Sequence, residues 1–153
     1  MSAEIVLQFS TQNDVGGWAI RVFDHGFWAT HVDSVLPGGD LLGARFSGGV
    51  AIRKPGYASF SRTQTVSLAT TEDIAADYYA FLHQQLGKAY DVEAIGGFVV
   101  CRNWRDDDMW FCDELVFAGL ERKFLPYKLP MTINRLTPAD LMLVCSMFTD
   151  TSK

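Results

Sequence analysis

The chain is predicted to be an α+β protein in which an antiparallel meander sheet packs against helices. Three observations predict this. Between residues 27 and 53, short apolar runs rich in strand-forming residues are divided by the turn-forming stretches Pro37-Gly38-Gly39-Asp40 and Ser47-Gly48-Gly49, a hairpin pattern. Two longer stretches, one after Thr71 and one after Trp110, carry apolar residues at helical spacing. With 153 residues and 48% hydrophobic content, the chain is the size of one compact domain, 1–153, with a substantial core.

Ile5-Val6-Leu7-Gln8-Phe9 reads as a first strand, stopped by the polar run Ser10 to Asp14. Asn13 or Asp14 is placed to cap a short helix from Trp18 to Phe23, weakened by Gly16-Gly17, and Asp24-His25-Gly26 forms a turn. A strand is expected over Phe27 to Leu36. Its hairpin partner is Leu41 to Phe46, across a four-residue loop, followed by a strand over Val50 to Arg53. Thr63 to Leu68 has the β-branched alternation of a further strand. Thr70 or Thr71 should cap a helix to about Leu86 with Ile74, Tyr78, Phe81, Leu82 and Leu86 on its inner face, and Gly87 closes it.

A short helix or turn is expected from Tyr90-Asp91 through Ile95, then an apolar run Phe98 to Cys101 and a polar loop Arg102 to Asp108. The next helix spans Phe111 to Lys123, its basic end suiting the negative end of the helix dipole. Thr137-Pro138-Ala139-Asp140 combines a capping threonine with proline at the first helical position, so Leu141 to Phe148 is expected to be a buried, nearly all-apolar helix.

A net charge of −5 with only the small basic clusters Arg53-Lys54 and Arg122-Lys123 argues against nucleic-acid binding, which needs clustered cations to displace counterions from phosphates. The N-terminal residues lack the basic and apolar regions of a signal peptide, so a cytoplasmic location is expected. No apolar run approaches the roughly 18 residues of a membrane span. Cys101, Cys112 and Cys145 form neither a paired framework nor a metal-ligand pattern, and no metal or organic cofactor is implied. Oligomeric state is left open.

The chemistry concentrates at Trp110-Phe111-Cys112-Asp113-Glu114-Leu115-Val116, where a cysteine opens a helix. Orphan N–H groups and the positive end of the dipole favour a thiolate there. Cys145 lies inside an apolar helix and Cys101 ends an apolar run, both places where a thiol is packing. Of three histidines, His25 falls in a turn and His83 on the outer side of its helix, whereas His31 alternates with apolar neighbours on a strand and so occupies a defined sheet face. A thiol of pKa about 8.5 must drop by roughly two units, about 2.7 kcal/mol, to be mostly thiolate at neutral pH. A helix terminus supplies only about 0.3–1 kcal/mol. Asp113 and Glu114 oppose the change, so an activated Cys112 requires His31. Glu114 is better suited to capping its own helix than to donating a proton.

These residues resemble the circularly permuted NlpC-type, papain-like cysteine hydrolases, including the YiiX-like proteins and their bacterial or phage-encoded relatives. The resemblance rests on Thr30-His31-Val32-Asp33, Leu42-Gly43-Ala44-Arg45, Gly48-Gly49-Val50, Ile52-Arg53, Tyr90-Asp91 and the Cys112 motif in one order, with Leu136-Thr137-Pro138 and Asp140-Leu141 closing it. It implies a papain-like fold in the permuted order, with a base, His31, preceding the nucleophile, Cys112. The position after the cysteine, often serine in such proteins, is Asp113 here.

The resemblance also implies an imidazole-orienting polar residue. With the hairpin loop centred between Gly38 and Gly39, His31 would pair with Phe46 and meet no polar group across the hairpin; a one-residue shift would present Arg45 or Ser47. Asp33, two residues along the same face, ranks first as the orienting residue and Ser47 second. The implied reaction is acyl transfer by a Cys112–His31 dyad with a ring nitrogen roughly 3–4.5 Å from the sulfur. The favoured substrate is a peptide-type amide, as in cell walls. A lipid acyl ester, as in the lecithin retinol acyltransferase-like group, and a noncatalytic binding or virion-associated module are the alternatives. Trp28, Trp104 and Trp110 are candidates for a substrate groove or for core packing.

Overall fold

The computed structural model describes residues 2–13, 17, 20–21, 25–90, 109–126, 128 and 136–149. The fold is α+β. Five antiparallel strands form one sheet: β1 (Ser2–Thr11), β2 (His31–Val35), β3 (Leu41–Arg45), β4 (Gly49–Arg53) and β5 (Arg62–Thr71), in the order β4-β3-β2-β1-β5. The expected meander is β2-β3-β4, and β1 lies between β2 and β5. β5 runs directly into helix α1 (Glu72–Gln84); a two-residue parallel pair, β6 (Ala89–Tyr90) and β7 (Met109–Trp110), precedes helix α2 (Cys112–Lys123), and α3 (Pro138–Ser146) follows.

Strand alternation divides the sheet into two unlike faces. Ile5, Leu7 and Phe9 of β1, Val32 of β2, Leu42 and Ala44 of β3, and Val66 and Leu68 of β5 are buried in one core beneath the helices. Ser34, on the same face, shares a 2.6 Å hydrogen bond with Tyr78 of α1. Opposite that ring, Gly119 of α2 has no room for a side chain, since a Cβ there would lie 2.7 Å from Tyr78; the missing side chain is what lets the two helices close over the sheet. The other face carries His31 and Asp33, with Ser10 and Gln8 as their cross-strand neighbours on β1.

Several expectations are corrected. The strand expected from Phe27 begins at His31, with Phe27 and Trp28 outside the ladder. The first hairpin is one residue out of the expected register: Val35 pairs with Leu41 and Ser34 with Leu42, which aligns Asp33 with Gly43. The cause is a three-residue loop. Leu36 N–H donates to Asp40 O and Gly39 N–H to Leu36 O, both at 2.8 Å, with Gly39 in the left-handed region at φ +86°, the form of a tight turn closed by a glycine bulge.

Thr71 takes the N-cap position of α1, but its hydroxyl turns to the Asp73 carboxylate, and Leu86, expected on the inner face, is exposed. Helix α3 has the predicted cap, Thr137 and Asp140 bonding reciprocally, yet it is not buried throughout. Leu141 and Cys145 are buried, whereas Leu143 and Met147 are 66% and 75% exposed, because so short a helix covers its neighbours with one side only. The readings of Asp91 to Asp108, including Cys101 and Trp104, lie outside the described residues, as does most of the helix expected from Trp18 to Phe23. Among the described residues no helix is long and apolar enough to cross a membrane.

Candidate functional site

Helix α2 starts where the sequence places it. Phe111 is the N-cap residue, and the Glu114 carboxylate accepts its backbone N–H at 3.3 Å, so Glu114 caps its own helix. Cys112 is the first helical residue, and α2 packs against β2 and β3. Its sulfur, fully buried, receives backbone hydrogen bonding from Val32 and Asp113. Val32 sits between His31 and Asp33 on β2, so the thiol meets the strand at the backbone that joins the two.

His31 and Asp33 are brought together directly. Nε2 of His31 lies 3.0 Å from Asp33 Oδ1, and both side chains are almost fully buried. The contact is close but the ring N–H is not aimed along it, since Asp33 Oδ1 has no aligned hydrogen-bond donor among the described residues. A third residue, which the sequence reading does not single out, completes the group. The Tyr57 hydroxyl donates to Asp33 Oδ2 at 2.7 Å and lies 3.3 Å from His31 Nε2. Tyr57 belongs to the segment between β4 and β5, and its ring is held by Arg45 and Arg53, whose guanidinium carbons lie 4.8 and 5.5 Å from the ring centre. Arg53 is itself fixed by bonds to Gly43 O and Gly49 O, each 2.9 Å.

Gly43 explains how a carboxylate is accommodated between strands. A Cβ at that position would lie 2.0 Å from Asp33 Oδ1, so the absent side chain is the space the carboxylate occupies. Ser47, the other candidate orienting residue, is exposed on the β3–β4 turn. Asp33 is the one placed against the imidazole.

Electrostatics separates the thiol from the acid. Burial pushes the Cys112 thiol well above its ordinary value; the Asp113 and Asp33 carboxylates push it the same way, and the two backbone hydrogen bonds only partly oppose them. Burial and the two carboxylates therefore favour the neutral thiol, against the helix start, which taken alone favours a thiolate. A hydrogen bond between it and the His31 ring is not among those made by the described residues. Alternation is the reason, because Val32 faces the helices while His31 and Asp33 face away from them. Cys145 is also buried, with its thiol pushed up to about 12, as a packing cysteine should be.

Burial alone would raise the Asp33 carboxyl, but the charge of the close His31 ring, the hydrogen bond from Tyr57 and the Arg53 charge outweigh it and hold the group below the ordinary carboxylate range. A group lowered on folding contributes stability in full above its unfolded value, about pH 4, and loses it as the pH falls through the lower folded value. Unfolding free energy measured by urea titration from pH 6 to 2 should show this loss, and Asp33→Asn should flatten it. An unchanged acid limb in the variant would remove Asp33 from the account.

The tryptophans sort by burial. Trp110 is in the core and donates to Gln85 Oε1 at 3.1 Å, while Trp28 is half-buried beneath Arg62, whose guanidinium carbon lies 4.0 Å from the ring centre. Among the described residues no group of three or more His, Cys, Asp or Glu side chains is placed to hold a metal ion. In comparisons with known proteins, no family model and no curated protein matches the chain.

Proposed function

We propose that this chain is a cysteine hydrolase of papain-like type in permuted order, cleaving a peptide-type amide, with a cell-wall peptide as the favoured substrate class. The observation that carries the proposal is the buried imidazole, phenol and carboxylate of His31, Tyr57 and Asp33 at the start of β2, beside the strand residue that meets the helix-start thiol of Cys112. Burying such a group costs free energy that an apolar cluster would not, and such groups concentrate at working sites. In this mechanism the neutral thiol loses its proton to His31 as sulfur attacks the carbonyl carbon. The imidazolium returns the proton to the leaving amine, and water then hydrolyses the thioester with His31 again as base. Asp33 stabilises the imidazolium, and the Cys112 backbone N–H is the natural donor to the oxyanion. For this transfer the His31 ring must reach the sulfur past the N-terminal end of β2, where His31 is the first strand residue.

The complete burial of Cys112, its raised thiol and the placement of His31 on the sheet face away from the helices favour a second reading, a noncatalytic binding or virion-associated structural module that keeps the same fold. Incubation with purified peptidoglycan fragments and, separately, with acyl esters, followed by mass spectrometry, distinguishes the two. Amide cleavage is expected. Ester cleavage without amide cleavage would move the substrate to the lipid acyl class, and turnover of neither would leave the noncatalytic module.

A further inference from the structure

The hydrogen atoms around the Tyr57 oxygen can be assigned from chemistry. The phenol is pushed far above its ordinary value by burial, by the Asp33 charge and by its bond to Asp33, so it keeps its proton. Asp33 is ionised and can only accept. The single phenolic hydrogen therefore serves Asp33 Oδ2 at 2.7 Å, and the 3.3 Å contact with His31 must be Nε2–H donating to the phenol oxygen. The direct approach of Nε2 to Asp33 Oδ1 lacks that alignment. A neutral imidazole carries one N–H, so the proton on Nε2 leaves the Nδ1 lone pair as the basic atom.

We propose that Tyr57 is a positioning residue: its hydroxyl relays between His31 Nε2 and Asp33 Oδ2, fixing the ring's tautomer and keeping Nδ1 available as the base. The catalytic consequence rests on the hydrolase reading, whereas the relay itself does not. The stacked guanidinium of Arg45, which also hydrogen-bonds the Tyr57 side chain, holds the phenol in place.

Long-range ¹H–¹⁵N spectra of the full chain test the relay without reference to turnover. The wild-type His31 ring, when neutral, should carry its proton on Nε2. Tyr57→Phe should raise the Nδ1–H population severalfold, and the Asp33 carboxyl, followed by ¹³C, should titrate closer to the ordinary carboxylate range. If wild-type His31 is mainly Nδ1–H, or if the variant moves neither signal, the proposal fails. Should Tyr57→Phe not fold, site-specific 3-fluorotyrosine at position 57 keeps the hydroxyl as a stronger donor, and the Asp33 titration should move lower; no movement overturns the proposal equally. In hydrolysis, Tyr57→Phe is expected to reduce kcat roughly 10- to 100-fold with KM nearly unchanged. An active wild type with unmoved spectra in the variant would overturn the relay and leave the hydrolase standing; moved spectra in a protein without turnover would do the reverse.

Discussion

Replacing Cys112 with alanine should reduce amide hydrolysis by roughly 10³-fold or more, because no other group in the proposed mechanism can form the acyl intermediate. The fold should survive the change. Loss of one buried sulfur costs roughly 1–2 kcal/mol, a cavity effect that urea unfolding can separate from the catalytic one. His31→Ala should reduce turnover comparably, since a thiol that burial and two carboxylates keep neutral has no other base assigned to take its proton. The measurement is the rate of product release from a peptidoglycan fragment, with wild type and both variants at equal folded concentration. Residual turnover within tenfold of wild type in Cys112→Ala would remove the cysteine from the chemistry.

Gly43→Ala should be among the most damaging single-atom changes in the sheet. The added carbon would lie 2.0 Å from Asp33 Oδ1, so either the carboxylate or the strand must move. Overpacking costs roughly 1–3 kcal/mol, and disturbing a buried ion pair adds to it. A loss of about 3 kcal/mol is expected, equivalent to a fall in Tm of roughly 6–12 °C for a domain of this size. The companion experiment is the double variant Gly43→Ala with Asp33→Ala. Removing the carboxylate removes the clash, so the two losses should combine to clearly less than their sum. Strict additivity would mean that position 43 does not crowd Asp33. A stable Gly43→Ala variant that retains an acid limb like the wild type's would lead to the same conclusion.

Different kinds of sequence signal account for what was legible in the chain. Helix α2 was readable because its start is encoded locally: Phe111, Glu114 and the basic end at Arg122-Lys123 fall within a dozen residues. The two hairpins were readable from their turns, but the register of the first was not. Pro37-Gly38-Gly39-Asp40 permits both a four-residue loop and a three-residue loop with a glycine bulge, and only the placement of Gly39 in the left-handed region decides between them. That one-residue difference sets Asp33 against Gly43. Asp33 could be proposed because it shares a face with His31 at strand spacing. Tyr57 could not, because it lies in a segment without periodicity and meets β2 only after β4 and β5 are in place. The one available signal was a tyrosine flanked by Gly56 and the basic pair Arg53-Lys54, a pattern too common to carry weight. Helix α3 is less buried than its apolar run predicts, because such a run reports hydrophobicity, while exposure depends on how many neighbours exist to cover it.

The position of β1 between β2 and β5 has a consequence for the order of assembly. Of the five strands, the first to be synthesised is an interior one, with one edge completed by residues 31–35 and the other only by residues 62–71. Until Thr71 has emerged, a chain under synthesis can hold β1 to β4 as a partial sheet whose β1 edge, with apolar Ile5, Leu7 and Phe9 on one side, stays unpaired. Such an edge is a template for joining another chain. Closing it requires a contact spanning some sixty residues of sequence, and α1, which follows β5 without a loop, arrives with that closure to cover the apolar side. Elongation that pauses before residue 62 should thus favour aggregation, whereas a pause after α1 should not.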